Sequence, residues 1–196
     1  MIRLFDLVFS FLGILILFPL FLIIYIFIIL ESNGGGFFIQ NRVGRNGIDF
    51  KLIKFRSMSI DSDKKGLITL GKCDPRLTKM GSFIRNHKFD ELPQLLNVLK
   101  GDMSIVGPRP EVRKYVEIYT NEQSKILKVR PGITDYASIE YVNEDVILGQ
   151  AVNPEEIYIE EIMPHKIQLN MKYIENQSIR EYFHIIILTF WHIFKK

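Results

Sequence analysis

The chain opens on an uninterrupted apolar stretch, and from Leu7 to Leu30 no residue carries a charge. At ~1.5 Å per residue a helix over this stretch would be about 36 Å long, against roughly 30 Å of bilayer hydrocarbon. It is too long for the apolar part of a signal peptide, and no small-residue cleavage site follows it. Pro19 stands near its middle, where it removes the bond to the Leu15 carbonyl and crowds that group. Each arm alone is about 18 Å long and cannot cross a bilayer. Two arrangements stay open: a kinked span, or a re-entrant helix-break-helix that returns to the face it entered. Membrane helices tolerate proline, which favours the kinked span on sequence physics alone. In either case the chain that follows lies against a membrane.

After the joint "ESNGGG" (31–36), alternation replaces continuous hydrophobicity. "FFIQNRVGRNGIDFKLIKF" reads as two strands around Asn46-Gly47, a pair that favours a tight hairpin, with Ile48, Phe50 and Leu52 on one face. The segment 59–72 is polar and expected to be mobile. Asp74-Pro75 marks a helix start, followed by helical spacing of Leu77, Met80, Phe83 and Ile84. A further helix carries Phe89, Leu92, Leu95, Leu96 and Leu99 on one side and stops at Gly101. Turn-rich chain follows through "GPRP" and "RPGITDY", and 134–149 reads as strand and loop on the rim of the domain. From Pro154 helical patterns return, interrupted at Pro164. The last segment, "REYFHIIILTFWHIFKK", is apolar nearly all round; a buried helix is one reading, but Trp191 and the final lysines suit an interfacial helix better.

Composition refines this picture in three ways. The net charge of +3 is too small to suggest a nucleic-acid arm. The bases cluster after the apolar stretch, at Arg42, Arg45, Lys51, Lys54 and Arg56, which suits contact with lipid headgroups or an anionic substrate. Cys73 is the only cysteine, so no internal disulfide forms, and no base stands at a spacing that would make it a nucleophile. His184 and His192 have no partner at metal-binding spacing. No Walker loop, Rossmann glycine pattern or Gly-x-Ser-x-Gly elbow is present.

The chemistry concentrates in "HKFDELPQLLNVLKGDMSIVGPRP" (87–110). Pro93 is tolerated only in a first helical turn, so Asp90 and Glu91 stand at or just before a helix N-terminus. The plain reading makes Asp90 a cap and Glu91 a complement to the helix dipole. Two adjacent carboxylates repel and want a cation, however. Arg109 sits on a stiff Pro-Arg-Pro backbone, Arg130 lies in a second Arg-Pro turn, and Lys54 and Arg56 come from "LIKFRSM". Together these suggest an acidic pair ringed by phosphate-binding groups beside a membrane, with Mg²⁺ able to reconcile carboxylates with a diphosphate.

Several long stretches, in order, resemble the small monotopic phosphoglycosyl transferases, a family of bacterial sugar transferases. These are the proline-broken apolar start, "QNRVGRNGIDFKLIKFRSM", "DPRLTKMGSFIRNHKFDELPQLLNVLKGDMSIVGPRP" and "RPGIT". The resemblance implies an α+β, mainly helical fold: a re-entrant membrane helix over 1–36, broken at Pro19, then a small cytosolic domain over 37–196 with a β-hairpin and an interfacial amphipathic helix at 180–196. It implies a protein on the cytoplasmic face of the bacterial inner membrane, with both ends of the apolar segment on one side, reversing the preference for a kinked span. The implied reaction is phosphosugar transfer from a UDP-sugar to polyprenyl (undecaprenyl) phosphate.

By the resemblance, Asp90 attacks the sugar-bearing phosphate and expels UMP, and Glu91 is associated with Mg²⁺. Lys54, Arg56, Arg85, Arg109, Pro110, Arg130 and Thr134 are the implied phosphate- and nucleotide-binding positions. Two departures stand out: Phe18 precedes Pro19 where the family often has serine, and Tyr182 falls where members often carry an acid. A rival mechanism uses Asp90 as a base for direct attack by the lipid. A non-catalytic membrane adaptor is a second alternative, against which the intact dyad with Arg109 argues. The segment 134–149 loosely resembles a subgroup acting on N-acetylated or deoxy-amino sugars, with UDP-hexoses open, and the broad apolar face leaves room for a homodimer.

Overall fold

The computed structural model describes residues 1–60, 62 and 74–195, without the side chains of 193 and 194. Most of the polar segment 59–72, Cys73 and Lys196 lie outside the described residues. Among those described, the protein is mainly helical, with two small two-stranded sheets.

The apolar start is one helix, α1 (Ile2–Glu31), whose helical backbone runs through Pro19. The expected break is therefore absent as an interruption. Its physical reason is packing on both sides of the proline: Leu17, Leu20, Phe21, Ile24 and Ile28 lie against Phe55 and Ile84, while Pro19 itself is exposed. Near the other end, Asp6 is only 2% exposed. Its carboxylate accepts hydrogen bonds from the Ser104 hydroxyl, the Ile105 N–H and the Tyr182 hydroxyl, each at 3.0 Å. In between, Gly13 lets α1 approach Leu95, whose side chain would lie 3.2 Å from an added Cβ. The helix is thus fastened to the domain at both ends, and its opposite side, including Leu15, Ile16, Ile23 and Leu30, is exposed.

The hairpin forms as its sequence predicts. Strands β1 (Phe37–Val43) and β2 (Asp49–Phe55) pair antiparallel in the register Val43 to Asp49. Asn46 and Gly47 take φ of 59° and 75°, the left-handed conformation these two residue types accept most readily. The next helix, α2 (Lys79–Asn86), starts later than Asp74-Pro75 suggests. Asp74 instead ion-pairs with Arg76, and α2 is capped by the Thr78 hydroxyl and by Glu31, which accepts from the Lys79 N–H at 2.7 Å.

Helix α3 (Gln94–Lys100) ends at Gly101 as expected, with φ of 102°. Its expected buried face is displaced: Leu96 is exposed, whereas Gln94, Asn97 and Val98 are buried. Asn97 replaces a strand neighbour for β2, accepting from the Ile53 N–H at 3.0 Å and donating to the Lys51 carbonyl at 2.7 Å.

The turn-rich region hides a second sheet. Strand β3 (Ser104–Val106) pairs parallel with β4 (Gly132–Thr134). The two strands leave almost no room between Gly107 and Gly132: a Cβ on Gly132 would meet the Gly107 nitrogen at 2.1 Å. Beyond β3 comes the short helix α4 (Arg113–Val116). The rim segment expected as strand and loop is helical instead, as α5 (Tyr136–Glu140) and α6 (Glu144–Gln150), because Asp135 caps α5 through the Ser138 N–H.

Helix α7 (Pro154–Ile157) continues through a π-helical turn, Tyr158–Ile162, into α8 (Met163–Glu175). The interruption expected at Pro164 takes this wider form, which absorbs the proline without ending the helix. Helix α9 (Ile179–Phe194) buries Tyr182 and Ile185 against β3 and α1 and leaves Ile187, Phe190 and Trp191 exposed. It is neither wholly buried nor free. Both α9 and α1 therefore carry an exposed apolar side.

Candidate active site

The carboxylate pair stands where two pieces of chain converge. Lys88, in the left-handed region at φ 58°, turns the chain into a single 3₁₀ turn, Phe89–Glu91, directly ahead of α3. Asp90 makes no capping bond there, so the plain helix-cap reading is set aside. From the other side, β3 delivers Gly107-Pro108-Arg109-Pro110 across the top of β4. The backbone is stitched by the Gly107 N–H to the Thr134 carbonyl and the Gly132 N–H to the Pro108 carbonyl, both at 3.0 Å.

Arg109 meets Glu91 with both ends of its guanidinium, Nη1 to Oε2 at 3.0 Å and Nη2 to Oε1 at 2.5 Å. Lys54, from β2, adds a third contact to Oε1 at 3.3 Å. Burial alone would raise the Glu91 carboxyl, but the charges of Arg109 and Lys54 and the Arg109 hydrogen bonds hold it well below the usual range. Arg109 is correspondingly raised, first by the charge of Glu91. Lys54 is pushed down to about 8, chiefly by burial, against the pull of Glu91.

Asp90 is the opposite case. It is 7% exposed, and among the described residues no hydrogen bond or ion pair reaches its carboxylate. Burial raises it, the charge of Glu91 raises it further, and Lys54, Arg85 and Lys88 act against both. A carboxylate without hydrogen-bonded partners, among cations that favour its ionised form, is equipped to attack an electrophile.

The remaining expected residues divide. Arg85, in the last turn of α2, acts on Asp90 through its charge. Pro110 borders the site through its carbonyl, which accepts from Arg42 at 3.0 Å. Arg42 is therefore committed to this loop rather than to lipid headgroups, and it also lies 3.7 Å from Glu111. Arg56 faces away from the dyad: it donates to the Ser32 carbonyl at 2.8 Å and to that of Asn33, closing the C-terminus of α1. Arg130 bonds the Gly101 carbonyl at 3.0 Å, at the end of α3 remote from the dyad. It lines an open cleft of about 570 Å³ with Arg3, Arg45 and Lys128. Thr134 turns its hydroxyl to Thr189 at 2.7 Å. The structure thus brings Lys54, Asp90, Glu91 and Arg109 together and leaves Arg56, Arg130 and Thr134 in other contacts.

Sequence reading missed Asp135 and Asn170. Asp135 is fully buried behind the loop, accepting the Arg109 N–H at 2.8 Å and the Asn170 amide at 2.7 Å. The available signal was the position of an aspartate directly ahead of "YASIE", a helix-capping pattern. Also missed was the layer behind Arg42, where Tyr158 donates to Glu111 at 2.5 Å and Lys166 pairs with Glu144 at 2.9 Å.

The carboxylates present fit Mg²⁺. Lys54 and Arg109 make three contacts to Glu91, fewer than the roughly four acceptor positions of a carboxylate, and Asp90 adds a second carboxylate at the adjacent position. Mg²⁺ commonly takes one or two carboxylates and completes its shell with water and substrate phosphate.

Comparison with known proteins gives the family. The description "Bacterial sugar transferase" matches residues 1–196. A Bacillus subtilis (strain 168) protein provisionally named an undecaprenyl-phosphate N-acetylgalactosaminyl 1-phosphate transferase is 48% identical over 120 residues, covering 61% of this chain and 67% of that one. The UDP-N-acetylgalactosamine-undecaprenyl-phosphate N-acetylgalactosaminephosphotransferase of Aeromonas hydrophila is 40% identical, over 82% of this chain and 36% of its own length. The UDP-glucose:undecaprenyl-phosphate glucose-1-phosphate transferase of Escherichia coli (strain K12) is 35% identical, over 94% and 38% respectively. The chain therefore spans about two thirds of the first relative and little more than a third of the other two.

Proposed function

The chain belongs to the bacterial sugar transferase family, and from that premise we propose that it transfers a phosphosugar from a UDP-sugar to undecaprenyl phosphate at the cytoplasmic face of the bacterial inner membrane. The observation that carries this reading is the contrast inside the dyad: Asp90 has no hydrogen-bonded partner among the described residues, while Glu91 is clamped by Arg109 and Lys54. The names of the relatives support the acceptor and the donor class.

In the proposed sequence, an ionised oxygen of Asp90 attacks the phosphorus that carries the sugar. The bond from that phosphorus to the bridging oxygen breaks, and the electron pair leaves with UMP. The product is an acyl phosphate between Asp90 and the phosphosugar. An oxygen of undecaprenyl phosphate then attacks the same phosphorus, and the Asp90 carboxylate departs. Dividing the transfer in two lets one site serve a water-soluble donor and a lipid acceptor in turn. Arg109 and Lys54 supply positive charge beside the transferring group, as phosphoryl transfer requires. Glu91 would hold Mg²⁺, which would supply further positive charge to the donor phosphates.

The exposed apolar sides of α1 and α9 support a membrane-bound, monotopic placement. Helix α1 is held to one domain near both ends, by Asp6 and by Ile28, which supports insertion that enters and leaves on the same face. The test is to incubate purified protein with UDP-sugars and no lipid. UMP release with a phosphosugar mass on Asp90 is the expected outcome. UMP that appears only when lipid phosphate is added, with no adduct, would mean direct transfer between bound substrates.

A further inference from the structure

We propose that Asp135 is a positioning residue that sets the backbone of Arg109, and through it the guanidinium that faces the transferring phosphate; this rests on the function proposed above. Arg109 stands between Pro108 and Pro110, neither of which has an N–H. Its own N–H is therefore the one backbone donor in that tripeptide, and Asp135 Oδ2 takes it at 2.8 Å. The same oxygen receives the Asn170 amide at 2.7 Å, and Oδ1 receives the Ser138 N–H at 2.5 Å.

Three N–H donors on three elements thus converge on one carboxylate that is 0% exposed. It sits immediately after β4, where the contact between Gly107 and Gly132 fixes the distance from the loop. Only a group that accepts on both oxygens satisfies all three donors. Asparagine keeps the helix cap but must turn its own NH₂ toward another donor. Because Asp135 is enclosed, it acts on the reaction through Arg109 and not by touching substrate.

A cap alone and a positioning role separate in a double-mutant cycle. Asp135→Asn and the exchanged pair Asp135→Asn/Asn170→Asp are compared with wild type for thermal unfolding and for UMP release at saturating UDP-sugar. The exchanged pair restores the 135–170 hydrogen bond and is expected to recover part of the unfolding temperature lost in Asp135→Asn, yet kcat stays down about tenfold because the Arg109 N–H still lacks its acceptor. In an Arg109→Lys background, Asp135→Asn lowers kcat further by less than about twofold. Full recovery of kcat in the exchanged pair, or an equal loss from Asp135→Asn in both backgrounds, overturns the proposal.

Residue-resolved hydrogen exchange on the wild-type protein provides a readout independent of turnover and of any variant. The Arg109 amide is expected to be among the protected ones, and exchange at the rate of an open loop would refute the contact. If wild type releases no UMP with any donor, the proposed function fails while the exchange measurement still judges the Asp135 contact.

Discussion

Adjacent along the chain, Asp90 and Glu91 are driven in opposite directions: Glu91 is held well below the ordinary carboxylate range by the charges around it, and Asp90 is raised by burial and by Glu91 itself. One is a fixed anion within a clamp, and the other is an anion held at a disadvantage. Neutralising each should therefore affect folding with opposite sign. Asp90→Asn removes a buried charge and a repulsion, so the protein should unfold at the same or a higher temperature while UMP release falls at least about a thousandfold. Glu91→Gln leaves Arg109 and Lys54 facing a neutral amide and should cost about 3 kcal/mol. Calorimetry alongside UMP release distinguishes the two, and a lower unfolding temperature for Asp90→Asn would contradict this account.

Lys54 gives the fold a signature in alkali. Its folded pKa is about 8 against an ordinary 10.5, chiefly through burial. Below the lower value both folded and unfolded chains hold the proton, and above the higher one neither does. Between them the unfolded chain binds more protons, so this group's contribution to stability rises with pH across that window. Chelator-treated wild type should gain in unfolding temperature relative to Lys54→Met from pH 8 to 10. A constant difference would mean that Lys54 is not desolvated.

Arg56→Gln separates two uses of a basic residue. Its contacts with Ser32 and Asn33 predict a loss of about 2 kcal/mol, with the KM for the donor within about twofold of wild type. A large rise in KM without loss of stability would place Arg56 at the phosphates.

Asp6→Ala leaves the Ser104 hydroxyl, the Ile105 N–H and the Tyr182 hydroxyl without their shared acceptor. A destabilisation of about 3 kcal/mol is expected, with faster hydrogen exchange in the first turns of α1. Unchanged exchange there would show that apolar contacts alone hold that end.

Gly132→Ala places a methyl group on the Gly107 backbone, at 2.1 Å from its nitrogen. Because backbone and not a pliable side chain is in the way, the strands must separate, at about 3 kcal/mol. Wild-type unfolding behaviour for this variant would refute the close approach.

Legibility in the sequence followed distance along the chain. The hairpin at Asn46-Gly47 and the stop at Gly101 were readable because each depends on its own residues adopting left-handed φ. Asp90, Glu91 and Arg109 were readable as a group because they lie within one short stretch of motif. The pairing of β3 with β4 was not, since three residues a side carry little pattern and their register depends on two glycines 25 positions apart, Gly107 and Gly132. Nor could sequence separate Arg56 from Arg109, both basic residues in conspicuous motifs. Their different roles come from the facing groups, the carbonyls at the end of α1 in one case and Glu91 in the other. Asp135 and Asn170, 35 positions apart, meet only once β4 and α8 have packed.

The fastening of α1 at Asp6 and again near Ile28, about 33 Å apart along its axis, has a mechanical consequence for the lipid. A free spanning helix answers a thicker or thinner bilayer by changing its tilt. Under the proposed placement this one cannot tilt independently of the domain it is fixed to, and it fills volume in a single leaflet. Each inserted copy then expands one monolayer against the other, so the protein should prefer membranes already bowed toward the cytoplasm and should bend flat ones in that direction.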